Sequence, residues 1–416
     1  IINLNKNKMK KILQLTIILA STLIIAQETI DLSLGPGYSN EVYYKLDTQN
    51  ETSFNAASWD IAFLRNNNFD VGARVNDGIG IKVYEVANMP SEYDTVDTSD
   101  QSGWVELVNS DENWDDGAFM NGSATYGFGE YNPVTHHIEG TIVFVLQYED
   151  GTYKKLFIED YFEGYTFKYA SWDGSNWSED ITTTIQNSSN PDNIYNYYSF
   201  QNNEEVVSEP AEGDWDFVFR RYNTFLNPPG QNYTVTGVLH NPNVMVAQNE
   251  ETGEPNPNNL TYSDNISTIG HDWKSFTGTW QIFSEQKYYV KYADNSVYRI
   301  YFTDFGGQSN GNLSFVVEDV SSLGFEDPMN NLSFGIYPNP SVNGEINFVY
   351  ENSSIAANKN IVTIFTMNGL EVFRGTLQNS IGLYNKTIDI SSLQSGIYIV
   401  NFQSGGLIST KKLIIK

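Results

Sequence analysis

Cysteine is absent from the 416-residue chain. That excludes a disulfide framework and thiolate metal sites, and leaves stability to core packing. Histidine is almost absent, with four residues at His136, His137, His240 and His271. Basic residues are scarce: 23 Lys and Arg stand against 51 Asp and Glu, a formal charge of −28. The deficit is concentrated in residues 27–331, which hold 13 cations and 47 acids, a net of −34, whereas 332–416 hold 6 and 4. So acidic a body repels phosphate, which excludes nucleic acid and anionic membranes as partners. A soluble secreted surface is the plain reading of this charge, with cation binding as the alternative. No H-E-x-x-H and no P-loop occurs. Helical periodicity of any length is also missing after the N-terminus.

A long apolar run occurs once, over Ile12–Ile25. It follows Met9, Lys10 and Lys11 and ends "IIA-Q", the pattern of a secretory signal peptide cleaved between Ala26 and Gln27. The run is short for a membrane anchor. Residues 1–8 read as an extension upstream of Met9, so 1–26 is the predicted leader. No later segment is apolar enough to span a membrane as a helix.

What the chain does have is aromatics and turn formers: 27 Tyr, 24 Phe and 32 Gly. Such a mixture favours short strands joined by tight turns. "ASWDIAFLR" (Ala57–Arg65) is echoed by "GDWDFVFRR" (Gly213–Arg221). Each echo follows a Tyr-Tyr strand, at Tyr43 and at Tyr197. Each precedes a hairpin turned at Asp150-Gly151 or Asp294-Asn295, and Asp-Gly suits a type I′ turn. Alternation of period two places Ile142, Phe144, Leu146 and Tyr148 on one face, and Tyr165, Phe167 and Tyr169 on another. The expectation is a duplicated β body, copy one over 27–185 and copy two over 186–325. Trp59 and Trp215 are then core residues, with Asp60 and Asp216 on the opposite face, paired with an Arg or capping a loop.

A polar linker, 326–331, precedes a third region over 332–416. "MNGL" (Met367–Leu370) marks a hairpin between Ile361–Thr366 and Glu371–Thr376. About seven short strands in this length predict a small β-sandwich. The region resembles the type A C-terminal sorting domain of type IX secretion cargo. The resemblance is carried by Tyr337-Pro338-Asn339-Pro340, by Asn368-Gly369 of the hairpin, by Gly396 and Tyr398 in "LQSGIYIV", and by Lys411 and Lys412 in "TKKLIIK". It implies an Ig-like sandwich and export across both membranes. The partners it implies are the secretion machinery and a surface sortase, and the destination is the cell surface or the extracellular space.

The body resembles the HmuY-like family of secreted β-proteins through "WDIAF", "GIGIKVYEV" (Gly78–Val86) and "DGTYKKLFIEDYFEGYTFKY" (Asp150–Tyr169). "YRIYFTDFGGQSNGNLSFVV" in the second copy matches likewise. The fold class so implied is all-β, two tandem HmuY-like antiparallel domains followed by the sorting sandwich. Some members bind haem, in places through a pair of His ligands, which makes the four histidines candidates. His136 and His137 are adjacent, so on a strand they point to opposite faces. None of the four recurs between copies, which argues against a duplicated haem site; no cofactor is the primary expectation, with haem as the alternative.

The remaining motifs are weaker. "GQSNG" (Gly307–Gly311) fits the nucleophile elbow in letters, but that motif requires a strand before it and a helix after it, with a later His. A strand follows instead, and no His lies beyond His271. The acidic loops Asp111–Gly117 and Trp172–Asp180 lack EF-hand spacing, and no metal is expected. A glycosidase requires two neighbouring carboxylates, and the sequence nominates none. Trp114, Trp172, Trp177 and Trp273, like Trp104 and Trp280, sit in polar Gly-rich segments. They act either as plugs at the ends of the sandwich or as platforms on which a sugar stacks. Function thus reads as a non-enzymatic binding or adhesion module for a glycan or host macromolecule; haem capture and a hydrolase are the alternatives.

Overall fold

The computed structural model describes residues 27–65, 71–321, 334–352, 360–380, 382–404 and 407–416. The leader with Ala26 and the linker 326–331 lie outside the described residues. The chain divides into two compact units, Ile1–Leu323 and Gly324–Lys416. Among the described residues both are all-β, with short 3-10 turns besides strands. No helix among the described residues is long and apolar enough to cross a membrane.

The first unit holds two antiparallel sandwiches. In one, a large sheet runs Ile181–Gln186, Gly164–Ser171, Tyr153–Tyr161, Val143–Gln147, Lys82–Ala87, Val105–Leu107. It packs on a four-stranded sheet of Glu204–Val206, Tyr195–Ser199, Ile61–Leu64 and Ala73–Val75. Phe63 stacks on Tyr165 at 4.6 Å across that interface. In the other, Gln27–Ser33, Asn312–Asp319, Val297–Phe305, Gln286–Lys291 and Met245–Glu250 form five strands. They cover a sheet of Gln231–His240, Phe217–Leu226, Asn40–Lys45 and Asn50–Asn55. Tyr44 and Phe219 both meet Phe315 there, at 5.4 and 5.6 Å.

Strand pairing crosses the expected copies. Tyr43 and Tyr44 of the first Tyr-Tyr strand pair with Val218 and Phe217 of the second Trp-Asp motif. Tyr197 and Tyr198 pair with Ala62 and Ile61 of the first motif. Each core therefore joins the opening strands of one sequence copy to the remainder of the other. The position 185/186 falls inside a strand of the first sandwich, and residues 27–55 complete the second. Apolar periodicity shows which face a strand buries; it carries no information on which strand becomes its partner.

The two four-stranded sheets also pack back to back, giving a four-layered body. A seam cluster of Tyr43, Trp59, Ala62, Tyr195, Tyr197, Trp215 and Val218 lies between them. Sheets covered on both faces lose the apolar–polar alternation, which is why Tyr195–Ser199 is buried at every position. Trp59 packs edge-on to Tyr197 at 5.0 Å, and Trp215 to Tyr43 at 5.1 Å.

The neighbouring aspartates are buried, in contrast to the outward placement expected from alternation. Asp60 accepts the Tyr148 hydroxyl at 2.9 Å and the Phe200 N–H at 2.6 Å. Asp216 accepts the Tyr292 hydroxyl, the Leu46 N–H at 2.8 Å and the Lys45 ammonium at 2.8 Å. Tyr148 and Tyr292 hold the same place before the two hairpin turns, where Gly151 and Asn295 adopt φ of 83° and 69°. Each motif thus ties the start of a strand to the hairpin of its own sandwich.

The second unit is a sandwich of three strands (Phe334–Tyr337, Glu345–Asn352, Gly382–Asp389) and four (Asn360–Thr366, Glu371–Leu377, Gly396–Ser404, Leu407–Ile415). Its core includes Phe334, Phe348, Ile364, Val400 and Phe402. Asn339 holds the last strand from both sides: its amide donates to Lys412 O at 2.7 Å, and its carbonyl accepts the Ile414 N–H at 2.9 Å. The Asn368-Gly369 turn has Gly369 at φ 81°. The Tyr398 hydroxyl donates to Gln394 O at 2.8 Å, which fixes the turn before Gly396. Tyr337 is half exposed, and Lys411 lies 5.6 Å from the Phe334 ring.

Candidate functional site: a cleft at the seam

The segment 109–118 leaves the first sandwich and crosses the seam. Two buried residues anchor it. The Arg74 guanidinium donates to Ser110 O (2.7 Å), Asn113 O (2.8 Å) and Trp114 O (3.1 Å). Asn109 accepts the N–H of Ala118 (2.9 Å) and donates to Val75 O (2.8 Å). Gly117 lets the loop return against the strand: a Cβ there would lie 2.0 Å from Ala73 O. On the far side the Trp114 indole N–H donates to His240 O at 2.9 Å, and Glu112 O accepts the Ile266 N–H at 3.0 Å. The Trp114 ring meets Trp215 edge-on at 5.9 Å, has Arg74 5.4 Å from its centre, and remains partly exposed.

That exposed part walls a cleft of about 450 Å³. Leu64, Ile194, Pro242 and Ile266 supply apolar lining; Arg65, Asn113, Asp115, Asn193, Glu212 and Asp264 supply polar lining. A second cleft of about 220 Å³ is lined by Tyr38, Glu41, Glu149 and Arg221 together with residues 55–57 and 78–79. Arg65 and Arg221 occupy the same place in W-D-x-x-F-x-R, so each echo sends one arginine to one cleft. That shared arginine is the signal in the sequence that would have located both clefts.

Of the four candidate tryptophans, only Trp114 lines the large cleft. Trp273 is 1% exposed and stacks on Phe302 at 3.8 Å, so it is core despite its polar neighbours. Trp172 and Trp177 pack on each other at 5.1 Å, and the Trp177 N–H donates to Val96 O at 2.9 Å. They close the outer face of the large sheet beside Tyr93 and Lys155.

The histidines do not meet in either cleft. His136 bonds the Tyr131 hydroxyl at 2.7 Å. His137 stacks on Phe162 and lies 2.8 Å from Asp160. His240 is fully buried, with Nδ1 3.0 Å from Asn241 O and Nε2 2.7 Å from Asn265 O, so each nitrogen faces a backbone carbonyl and the ring's N–H donates to one of them. Burial lowers the pKa of His240, and burial with the Lys274 charge lowers that of His271. Among the described residues no three His, Asp or Glu side chains converge on a metal position. Ser309 of "GQSNG" donates to Gly306 O at 3.1 Å in a turn leading into a strand, which is not an elbow geometry.

Behind the cleft wall, Glu209 is 3% exposed and accepts the Tyr195 N–H (2.7 Å) and the Tyr197 hydroxyl (3.0 Å). Burial pushes its carboxyl up to about 8, against the opposing effect of those donors. A folded pKa above the unfolded 4.5 means the fold holds the proton more tightly. The stabilisation is complete below the unfolded value and is lost as pH rises through the folded one. Urea midpoints of the wild type are expected to fall between pH 5 and pH 9 relative to those of Glu209→Gln, which cannot ionise. Parallel curves for the two proteins would refute this.

Residues 335–416 match the secretion system C-terminal sorting domain. The tail is a sorting domain. It marks the chain as cargo of the type IX secretion system, implies engagement with that machinery, and implies export to the cell surface or the extracellular space. A search of curated proteins finds none that matches the chain.

Proposed function

We propose that the sorting domain delivers a non-enzymatic binding module, and that the seam cleft walled by Trp114 is where this module takes its ligand. The observation that carries the reading is the fixed, partly exposed indole: Arg74, His240 O and Trp215 hold it from behind while its remaining face lines the cleft. A wall that is ordered before binding lowers the entropic cost of association. Loops fixed on a rigid β scaffold are a common place for recognition. The all-β body is consistent with the HmuY-like resemblance, but the histidine positions favour a ligand other than haem.

Asp115, Glu212 and Asp264 line the same cleft, which keeps a hydrolase as the second reading. Trp114→Ala is expected to lower affinity for any cleft ligand at least tenfold, with the far-UV circular dichroism spectrum, which reports the backbone, unchanged. Titration with haemin is expected to give no Soret band. Binding that survives Trp114→Ala would place the site elsewhere. Release of new reducing ends from a bound glycan would turn the reading to catalysis.

A further inference from the structure

Resting on the cleft reading, we propose that the ligand is an uncharged oligosaccharide, with the cleft holding about two sugar units against Trp114. Charge is the first argument. Three carboxylates and one guanidinium line the space, in a body whose net charge is −34. Sulfated, phosphorylated or uronic glycans meet repulsion there, since few cations are present to replace their counterions. The same lining would at first suggest a cationic ligand held by carboxylates and the ring.

Arg74 decides against that alternative. Its guanidinium carbon sits 5.4 Å from the Trp114 ring centre, and the residue does not line the cleft. The quadrupole of the ring is thus already engaged by a permanent buried cation, and a second cation on the open face gains little from it. Three carbonyls of the loop are likewise occupied by Arg74, and Trp114 O takes the Tyr195 hydroxyl as well. The dispersion surface of the indole is unaffected by this, and it suits the C–H face of a pyranose. Around it, Asn113 and Asp115 offer a planar amide and a carboxylate, and Arg65, whose Nε–H is held by Asn193 O at 2.8 Å, keeps its terminal N–H groups as donors. Adjacent hydroxyls match such groups in pairs, and neutral ligands meet no charge penalty.

The test uses the full chain. An array of neutral oligosaccharides, an array of sulfated and uronic glycans, and a Lys/Arg-rich peptide are each titrated against wild type and Trp114→Ala. The expected result is binding of a neutral glycan that varies less than about twofold between about 50 and about 500 mM salt, a range over which screening alters any charge-driven contact. That binding falls at least tenfold in Trp114→Ala, and Asp115→Asn alters glycan preference. Tighter, salt-sensitive binding of the peptide that also requires Trp114 would overturn the neutral ligand while leaving the cleft as the site. Absence of any Trp114-dependent binding in all three arms would overturn both.

Discussion

Asp216→Ala is expected to destabilise the body by about 3–5 kcal/mol, the range for removing one partner of a buried ion pair. Asp216 is 1% exposed, and three groups lose their acceptor at once: the Lys45 ammonium, the Leu46 N–H and the Tyr292 hydroxyl. The first two belong to the strand Asn40–Lys45 and its end, the third to the hairpin that closes the five-stranded sheet. One carboxylate therefore joins both layers of the second sandwich, and alanine leaves an ammonium, an amide and a phenol without it. Asp60→Ala is the matched control. It has the same position in the first motif, with a Tyr hydroxyl and one N–H but no ion pair. Its expected cost is lower, about 1–3 kcal/mol. Urea denaturation of both variants measures the difference directly. An Asp216→Ala loss equal to that of Asp60→Ala would show that the Lys45 pair adds nothing.

This contrast also shows what could be read from sequence. Period-two alternation identified the strands around Ile142–Tyr148 and Tyr165–Tyr169, and the Asp-Gly, Asp-Asn and Met-Asn-Gly turns identified hairpins. Burial of the two tryptophans followed from the same alternation. The aspartates beside them could not be placed, because alternation assumes one wet face. At the centre of the four-layered body, as in Tyr195–Ser199, the inner sheets have none, although their edge strands such as Asn50–Asn55 stay exposed. Val143 and Val145 illustrate the same point: both are fully buried beside the expected core residues Phe144 and Leu146. The Tyr93 segment covers their face of the sheet. The site was half legible. Trp114 stood among six tryptophans in polar segments, and no local pattern separates it from Trp273. What separates them is long-range: Trp273 meets Phe302, whereas Trp114 meets a carbonyl of the other sandwich.

The largest effect is expected from removing residues 27–55. This segment supplies the edge strand Gln27–Ser33, paired along its length with Asn312–Asp319, and the paired strands Asn40–Lys45 and Asn50–Asn55. It contributes Leu32, Leu34, Val42, Tyr44 and Leu46 to the second core, each at most 4% exposed. At about 1.5–3 kcal/mol per buried side chain, these five alone rival the whole stability of an ordinary domain, about 5–15 kcal/mol. Glu41 goes with them, leaving buried Arg220 without the carboxylate 2.9 Å away. The first core contains no residue of 27–55, so the deletion separates the two sandwiches energetically. Hydrogen exchange is expected to show lost protection over Phe217–His240 and Gln286–Asp319. Protection is retained in Val143–Gln147 and Tyr153–Tyr161. A peptide of 27–55 added in trans should restore the lost protection, because the ribbon pairs with strands more than 150 residues away. Its covalent attachment mainly lowers the entropy of closing that loop, a term that grows only logarithmically with length. Uniform loss of protection in both sandwiches would instead show that the seam, through Tyr43 and Trp215, makes the four layers a single cooperative unit.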